Sequence, residues 1–191
     1  MSDLPLVTDA AFEGIDYSVA PLPAGEYDAC TFTNCGFHNA DLSGWVFRDC
    51  TFRSCDLSLA RLRDASFQDV VFADCKLMGL HFNVCNKLLL TVRFERCVLK
   101  HSTFHKLALK KTSFVNCNLQ DADFTDTDLT LAVFDRCDLL NAQFARTNLK
   151  QADLRSSYNY IIDPEQNVVK QARFSLSGVV GLLGKYDVVI E

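Results

Sequence analysis

Nine cysteines and four histidines are the most reactive side chains in this 191-residue chain, and their spacing decides what they can do. Cys30, Cys35, Cys50, Cys55, Cys75 and Cys85 are separated by multiples of five residues, as are Cys97, Cys117 and Cys137. On a coil of twenty residues, Cys35, Cys55 and Cys75 would share one column, and Cys97, Cys117 and Cys137 another. Column neighbours one strand spacing apart fall inside the disulfide range of about 4.4–6.8 Å, so a ladder of disulfides or of soft-metal ligands is conceivable. The same slot, however, also takes Ala40, Ala60, Ala65, Ala122, Ala132, Ala142 and Ala152. A buried thiol with no basic neighbour is a poor nucleophile. Packing accounts for the spacing in full, and the cysteines are read as core.

The histidines are His38, His81, His101 and His105. On a helix, His101 and His105 would pair as ligands, but on an extended coil they fall on either side of a corner. The chain contains no glycine-rich phosphate loop, no Cys-x-x-Cys pair and no nucleophile triad pattern. No catalytic, cofactor-binding or metal-binding residue is assigned, and the reading is a non-enzyme. The densest group of carboxylates is Asp121, Asp123, Asp126 and Asp128, which reads equally as ordinary solvated turns or as an acidic patch that meets a partner.

Behind the slot runs a five-residue ladder of large apolar side chains, from Phe32, Phe37 and Leu42 to Leu77 and Phe82. It slips by two residues and resumes as Phe94, Leu99 and Phe104, continuing to Leu149 and Leu154. A period of five fits neither a helix nor a flat strand and marks a solenoid. Residues two apart on an extended chain point the same way, so the ladder residue and its small predecessor face inward. The residue between them faces out and the other two turn a corner. Four such sides close a square coil of twenty residues, with coils about 4.8 Å apart. Phe32, Phe52 and Phe72 then form one interior stack, Phe94, Phe114 and Phe134 a second, and Phe104, Phe124 and Phe144 a third.

The unit reads Ala/Cys-Asp/Asn-Leu/Phe, as in residues 40–42, 55–57, 122–124 and 137–139, and resembles the pentapeptide repeat family. The resemblance covers residues 25–155 and, through Phe12, Tyr17, Leu22 and Tyr27, reaches further toward the N-terminus. It implies an all-β, right-handed quadrilateral parallel β-helix. The expected organisation is an irregular cap or degenerate first coil at 1–26, the β-helix at 27–155 with its slip at 83–93, and a C-terminal cap at 156–191.

The resemblance also implies function. Some members, the Qnr and MfpA types that confer quinolone resistance, are dimeric acidic rods that mimic DNA and bind DNA gyrase or topoisomerase IV. Others bind different proteins as scaffolds or adaptors. Both readings make this chain a protein-binding module without cofactors. Residues 1–47 hold seven acids and no Lys or Arg, whereas 83–119 hold seven bases against Glu95 alone. A DNA mimic needs long acidic rows, since duplex DNA presents a charge about every 1.7 Å. No column here carries three consecutive acids: Asp16 and Asp56 are separated by Gly36, and Glu95 and Asp135 by Val115. The candidate surface is therefore the lateral group Asp121, Asp123, Asp126 and Asp128. Direct nucleic-acid binding by the basic stretch is disfavoured, because Phe94, Phe104 and Phe114 are ladder residues that point inward. With no cationic apolar leader and no long apolar run, the chain reads as cytoplasmic and not membrane-bound.

Three irregularities carry expectations of their own. The slip contains Leu88, Leu89 and Leu90, whose apolar character favours a bulge with its side chains inside over a protruding loop. Trp45 stands in a slot built for small residues, so either the coil distorts there or the indole points outward. After Leu154 the repeat fades: Asp163-Pro164-Glu165 resembles a helix start. Residues 175–184 read as an amphipathic helix carrying Leu176, Val179, Val180 and Leu183 on one side, and 186–190 as a last strand. That segment is expected to cap the solenoid and, as the resemblance implies, to form a homodimer interface through those four residues.

Overall fold

The computed structural model describes residues 4–20, 22–186 and 188–189. The chain is a parallel β-solenoid whose strands are three or four residues long. In chain order they are β1 (Leu6–Thr8), β2 (Ala11–Glu13), β3 (Glu26–Asp28), β4 (Thr31–Thr33), β5 (Val46–Arg48) and β6 (Thr51–Arg53). They continue as β7 (Ser66–Gln68), β8 (Val70–Ala73), β9 (Val92–Glu95), β10 (Ser113–Val115) and β11 (Val133–Asp135). One face is the sheet β1-β3-β5-β7, and the next is the sheet β2-β4-β6-β8-β9-β10-β11. The other two faces are held by single parallel bridges, such as Asp16 to Gly36 to Asp56 and Thr103 to Asp123 to Gln143. Parallel pairing extends beyond residue 155, to Asp153 with Arg173.

Aromatic stacking shows why the ladder fixes the fold. Phe12, Phe32, Phe52, Phe72, Phe94, Phe114 and Phe134 stack face to face with centroids 4.7–5.5 Å apart. The two stacks expected on either side of the slip are thus one column, because Phe72 pairs in register with Phe94 at 5.5 Å. Between neighbouring faces the rings meet edge to face, as for Phe104 and Phe114 at 5.9 Å and 83°. That arrangement puts positive ring edges against negative ring faces.

The slip does not keep its leucines inside. Leu88 and Leu89 are 71% and 65% exposed, and only Leu90 tucks against the core. Each face at a level is already filled by its ladder residue and slot residue, so two extra residues have no interior place and loop out. The loop is shaped by the Leu88 amide donating to Asn86 Oδ1 at 2.9 Å. Trp45, by contrast, neither leaves the interior nor breaks the coil. It is 6% exposed, lies 6.0 Å from the ring of Tyr27, and its neighbour Val46 keeps register with both Glu26 and Ser66. Gly25 and Ala65 occupy the equivalent slots one coil away on either side, leaving room for the indole.

The tail also departs from expectation. Asp163-Pro164-Glu165 starts no helix but forms a turn in which Asp163 Oδ1 accepts from the Glu165 amide. The segment expected as an amphipathic α-helix holds a 3-10 helix at Gly178–Leu182 and a second 3-10 turn at Gly184–Tyr186. Gly178, Gly181 and Gly184 recur every three residues, and residues three apart eclipse in a 3-10 helix. A Cβ at Gly178 or Gly181 would overlap Tyr160, so this bare edge lies directly on the last coil. Val188 and Val189 form no strand, while Asp187, Ile190 and Glu191 lie outside the described residues.

Most corners two residues after a ladder position adopt positive φ, even where the residue is Leu59 (59°) or Leu131 (61°), and Leu89 in the slip does so as well (58°). L-residues other than Gly, Asn and Asp visit this region at a cost of about 1–2 kcal/mol. Leu131 lies on the surface, so its substitution isolates the backbone effect. We expect stability in urea unfolding to order as Leu131→Asn above wild type above Leu131→Val, with the valine about 1–2 kcal/mol less stable than the wild type.

Candidate interaction surface

The interior slot contains a hydrogen-bond code that its steric reading as a mere small-residue position had missed. Seven alanines of the slot (Ala40, Ala60, Ala65, Ala122, Ala132, Ala142 and Ala152) follow corners closed by a backbone bond, such as Ala40 N to Phe37 O at 2.9 Å. Eight of the nine cysteines follow corners without that bond. There each thiol lies 3.3–3.6 Å from the ladder carbonyl one coil below, as Cys55 to Phe32, Cys75 to Phe52 and Cys117 to Phe94, and all but Cys50 share the contact with the carbonyl two residues back at 3.2–3.6 Å. Ser102, Thr127, Thr147 and Ser157 do the same through hydroxyls at 2.7–2.9 Å. Cys85 sits at a closed corner, where its own amide bonds Phe82 O, and has no such contact. All nine cysteines are buried and free. Burial pushes the Cys50 and Cys85 thiols up to about 12, and hydrogen bonds from neighbouring thiols together with burial hold Cys75 and Cys117 protonated.

With the interior committed to packing, interaction falls to the outward residues, where contacts run between coils. Position n meets n+20, or n+22 across the slip. Arg61 pairs with Asp41 at 3.1 Å, Arg96 with Asp74 at 2.6 Å, and Arg146 with Asp126 at 2.6 Å.

The four predicted carboxylates wrap two adjacent faces about one corner. Asp121 and Asp126 are positive-φ corner residues, and Asp123 and Asp128 lie at bridge positions between them and beyond. Each has partners. Asp121 accepts from Asn141 Nδ2 at 3.2 Å and lies 3.8 Å from His101 Nδ1. Asp123 accepts from the Thr125 amide at 2.9 Å and from Thr103 Oγ1 at 3.3 Å. Asp126 takes a bidentate Arg146 at 2.6 and 3.0 Å and lies 3.9 Å from His105 Nδ1. Lys110 reaches Asp128 at 3.3 Å. The Arg146 bond holds the Asp126 carboxyl below its ordinary value. For Asp128, burial opposes ionisation, but bonds from Thr130 and Lys110 outweigh it and lower its pKa. The basic stretch thus lies directly against the acidic one, and the patch is a partly charge-matched lattice. The N-terminal coils carry Asp9, Glu13, Asp16 and Asp28 without a salt bridge among the described residues, and residues 1–47 contain no Lys or Arg, so acidic charge is least compensated there.

At the other end, Leu176 is 91% exposed, and Val179, Val180 and Leu183 are 40–44% exposed. The 3-10 segment turns its glycines to the coil and these four outward. Lys185 anchors it to Asp163 at 2.8 Å and Glu165 at 2.6 Å, and Gly181 O accepts from the Ile162 amide.

A family model described as "Pentapeptide repeat region" matches residues 26–90 and 87–158. The chain belongs to the pentapeptide repeat family. A comparison with curated protein sequences returned no significant match. Among solved structures, the family fold is shared with QnrB1, described as a plasmid-mediated fluoroquinolone resistance protein. One trypsin-treated variant of QnrB1 superposes with TM-score 0.77 at 15% identity, covering 98% of this chain and 92% of that one. A second trypsin-treated variant gives TM-score 0.64 at 18% identity, covering 98% and 100%. At these identities the likeness concerns the fold.

The slot code predicts unequal substitutions at Cys117. Cys117→Ala removes the thiol contact from Phe94 O, which the β9–β10 ladder still bonds, and should cost about 0.5–1.5 kcal/mol, whereas Cys117→Ser keeps a donor and should cost less. Urea midpoints of the two variants, compared at equal slope, measure the difference.

Proposed function

We propose that this chain is a non-enzymatic, protein-binding β-helix of the cytoplasm that acts on a type II topoisomerase, DNA gyrase or topoisomerase IV, as a homodimer. The observation that carries this reading is the exposed apolar group Leu176, Val179, Val180 and Leu183 at the C-terminal end of a rod whose first 47 residues hold seven acids and no Lys or Arg. Two-fold pairing of those residues would bury them and place the acidic coils at both tips of a rod of doubled length. The fold shared with QnrB1, a fluoroquinolone resistance protein, supports the same reading. Binding then uses a rigid surface with little ordering cost, and catalysis plays no part.

A specific observation favours a second reading, a scaffold or adaptor for another protein. Asp121, Asp123, Asp126 and Asp128 were the candidate contact patch, and the pairing of Asp126 with Arg146 and of Asp128 with Lys110 offsets half of its negative charge and weakens it as an imitation of DNA. On the topoisomerase reading the contact surface therefore lies in the N-terminal coils, around Asp9, Glu13, Asp16 and Asp28.

Two measurements test these statements. Light scattering of the double variant Leu176→Asp/Val180→Asp is expected to show a monomer where the wild type shows a dimer; a monomeric wild type removes the interface. In supercoiling and cleavage assays of DNA gyrase with and without ciprofloxacin, the protein is expected to reduce drug-stabilised cleavage. Charge reversal at Asp9, Glu13 and Asp16 should weaken that effect at least tenfold. No effect on gyrase or topoisomerase IV leaves the scaffold reading.

A further inference from the structure

On the face formed by residues 41–43, 61–63 and 81–84, a cleft of about 570 Å³ opens in the otherwise regular rod. Its cause is local. Gly79 is a corner residue at φ 64°, with no side chain to cover its level. Leu59, one coil below, leans into the vacant space, and a Cβ at position 79 would lie 2.7 Å from Leu59 Cδ2. The far wall is Val84, on the 3-10 turn Phe82–Val84 that begins the slip. Leu59 is 54% and Val84 42% exposed, so the cleft keeps open apolar walls.

Above these walls stand Arg61, Arg63 and His81. Arg61 and His81 are one twenty-residue period apart, and Arg63 is two residues along the same face from Arg61. Asp41, the carboxylate among the lining residues, is engaged by Arg61 at 3.1 Å. Arg63 has no ion pair among the described residues. With Arg61 offset by Asp41, a chain of net charge −5 presents here one uncompensated guanidinium, Arg63, beside an imidazole over an apolar floor. Guanidinium groups favour carboxylate and phosphate oxygens through paired N–H donors.

We propose that this cleft binds an anionic group carried on an apolar body: a carboxylate or phosphate held by Arg63, Arg61 and His81, with its hydrocarbon part against Leu59 and Val84. The group can come from a small molecule or from an acidic side chain beside an apolar one on a protein. The assignment does not depend on the topoisomerase reading.

The test titrates the full chain, by heteronuclear NMR, with phenyl phosphate, inorganic phosphate and benzyl alcohol. Phenyl phosphate is expected to saturate, shifting resonances of residues 59–63 and 79–84, and to bind at least tenfold more tightly than either fragment. Arg63→Ala should weaken it about tenfold and Arg63→Lys should restore part of that loss. Leu59→Ser should weaken phenyl phosphate and leave inorganic phosphate unchanged. Arg53→Ala, on a different face, serves as the control and should change nothing. Absence of saturation overturns the proposal, as does inorganic phosphate binding as tightly as phenyl phosphate, or equal loss in Arg53→Ala and Arg63→Ala. If binding is present, a Leu-Glu-Phe-Glu peptide binding more tightly than phenyl phosphate assigns the site to a protein partner, and the reverse order to a small molecule.

Discussion

Every level of this solenoid stacks one large ladder side chain per face on its counterpart below, and the limited volume left beside it governs the rest of the molecule. Phenylalanine stacks on its counterpart a strand spacing away, while rings on adjoining faces meet edge to face. The contacts are individually weak, but they repeat along the rod without a break, even across the two-residue slip. Because the axis is nearly full, the residue two positions before each ladder residue is mostly small, with Leu80, Val70, Val92, Leu107 and Trp45 as the large buried exceptions, and the two-residue insertion goes outside. Leu88 and Leu89 are expelled for that reason despite being apolar, and Trp45 is admitted because its column neighbours are Gly25 and Ala65.

A filled apolar axis leaves backbone polar groups without water, so each ladder carbonyl needs a donor inside the protein. Two solutions alternate. Where the corner closes on itself, the amide three residues on serves, and alanine suffices in the slot. Where the corner stays open, the ladder carbonyl is bonded by the neighbouring strand, and the slot of the next coil adds a thiol or hydroxyl contact to it. The abundance of cysteine is thus partly a backbone matter, and burial keeps the Cys50 and Cys85 thiols protonated and chemically quiet.

On the outside, the same twenty-residue period sets which charges meet. Residues far apart in sequence are nearest neighbours, so the acidic stretch at 121–128 is bracketed by His101, His105 and Lys110 below and by Arg146 and Asn141 above. Each exposed pair contributes little to stability, on the order of 0–1 kcal/mol. Their larger consequence is for recognition, because a partly compensated lattice carries a weaker field than a bare acidic strip.

The sequence by itself determined the β-solenoid class, the inward ladder, the small slot and the coil length, because period five admits one packing solution and burial enforces it at every repeat. It also contained the n+20 charge pairs, such as Asp126 with Arg146, although reading charge in linear zones hid them. Only the tertiary structure decided where the slip sends its leucines, whether Cys or Ala marks an open or closed corner, and how the tail winds. Those outcomes turn on contacts between residues distant in the chain: the full axis beside Leu90, the carbonyl below each thiol, and Tyr160 beneath Gly178 and Gly181. The cleft beside Arg63 belongs to the same group, since a glycine at one corner becomes an opening only when Leu59 and Val84 stand on either side of it.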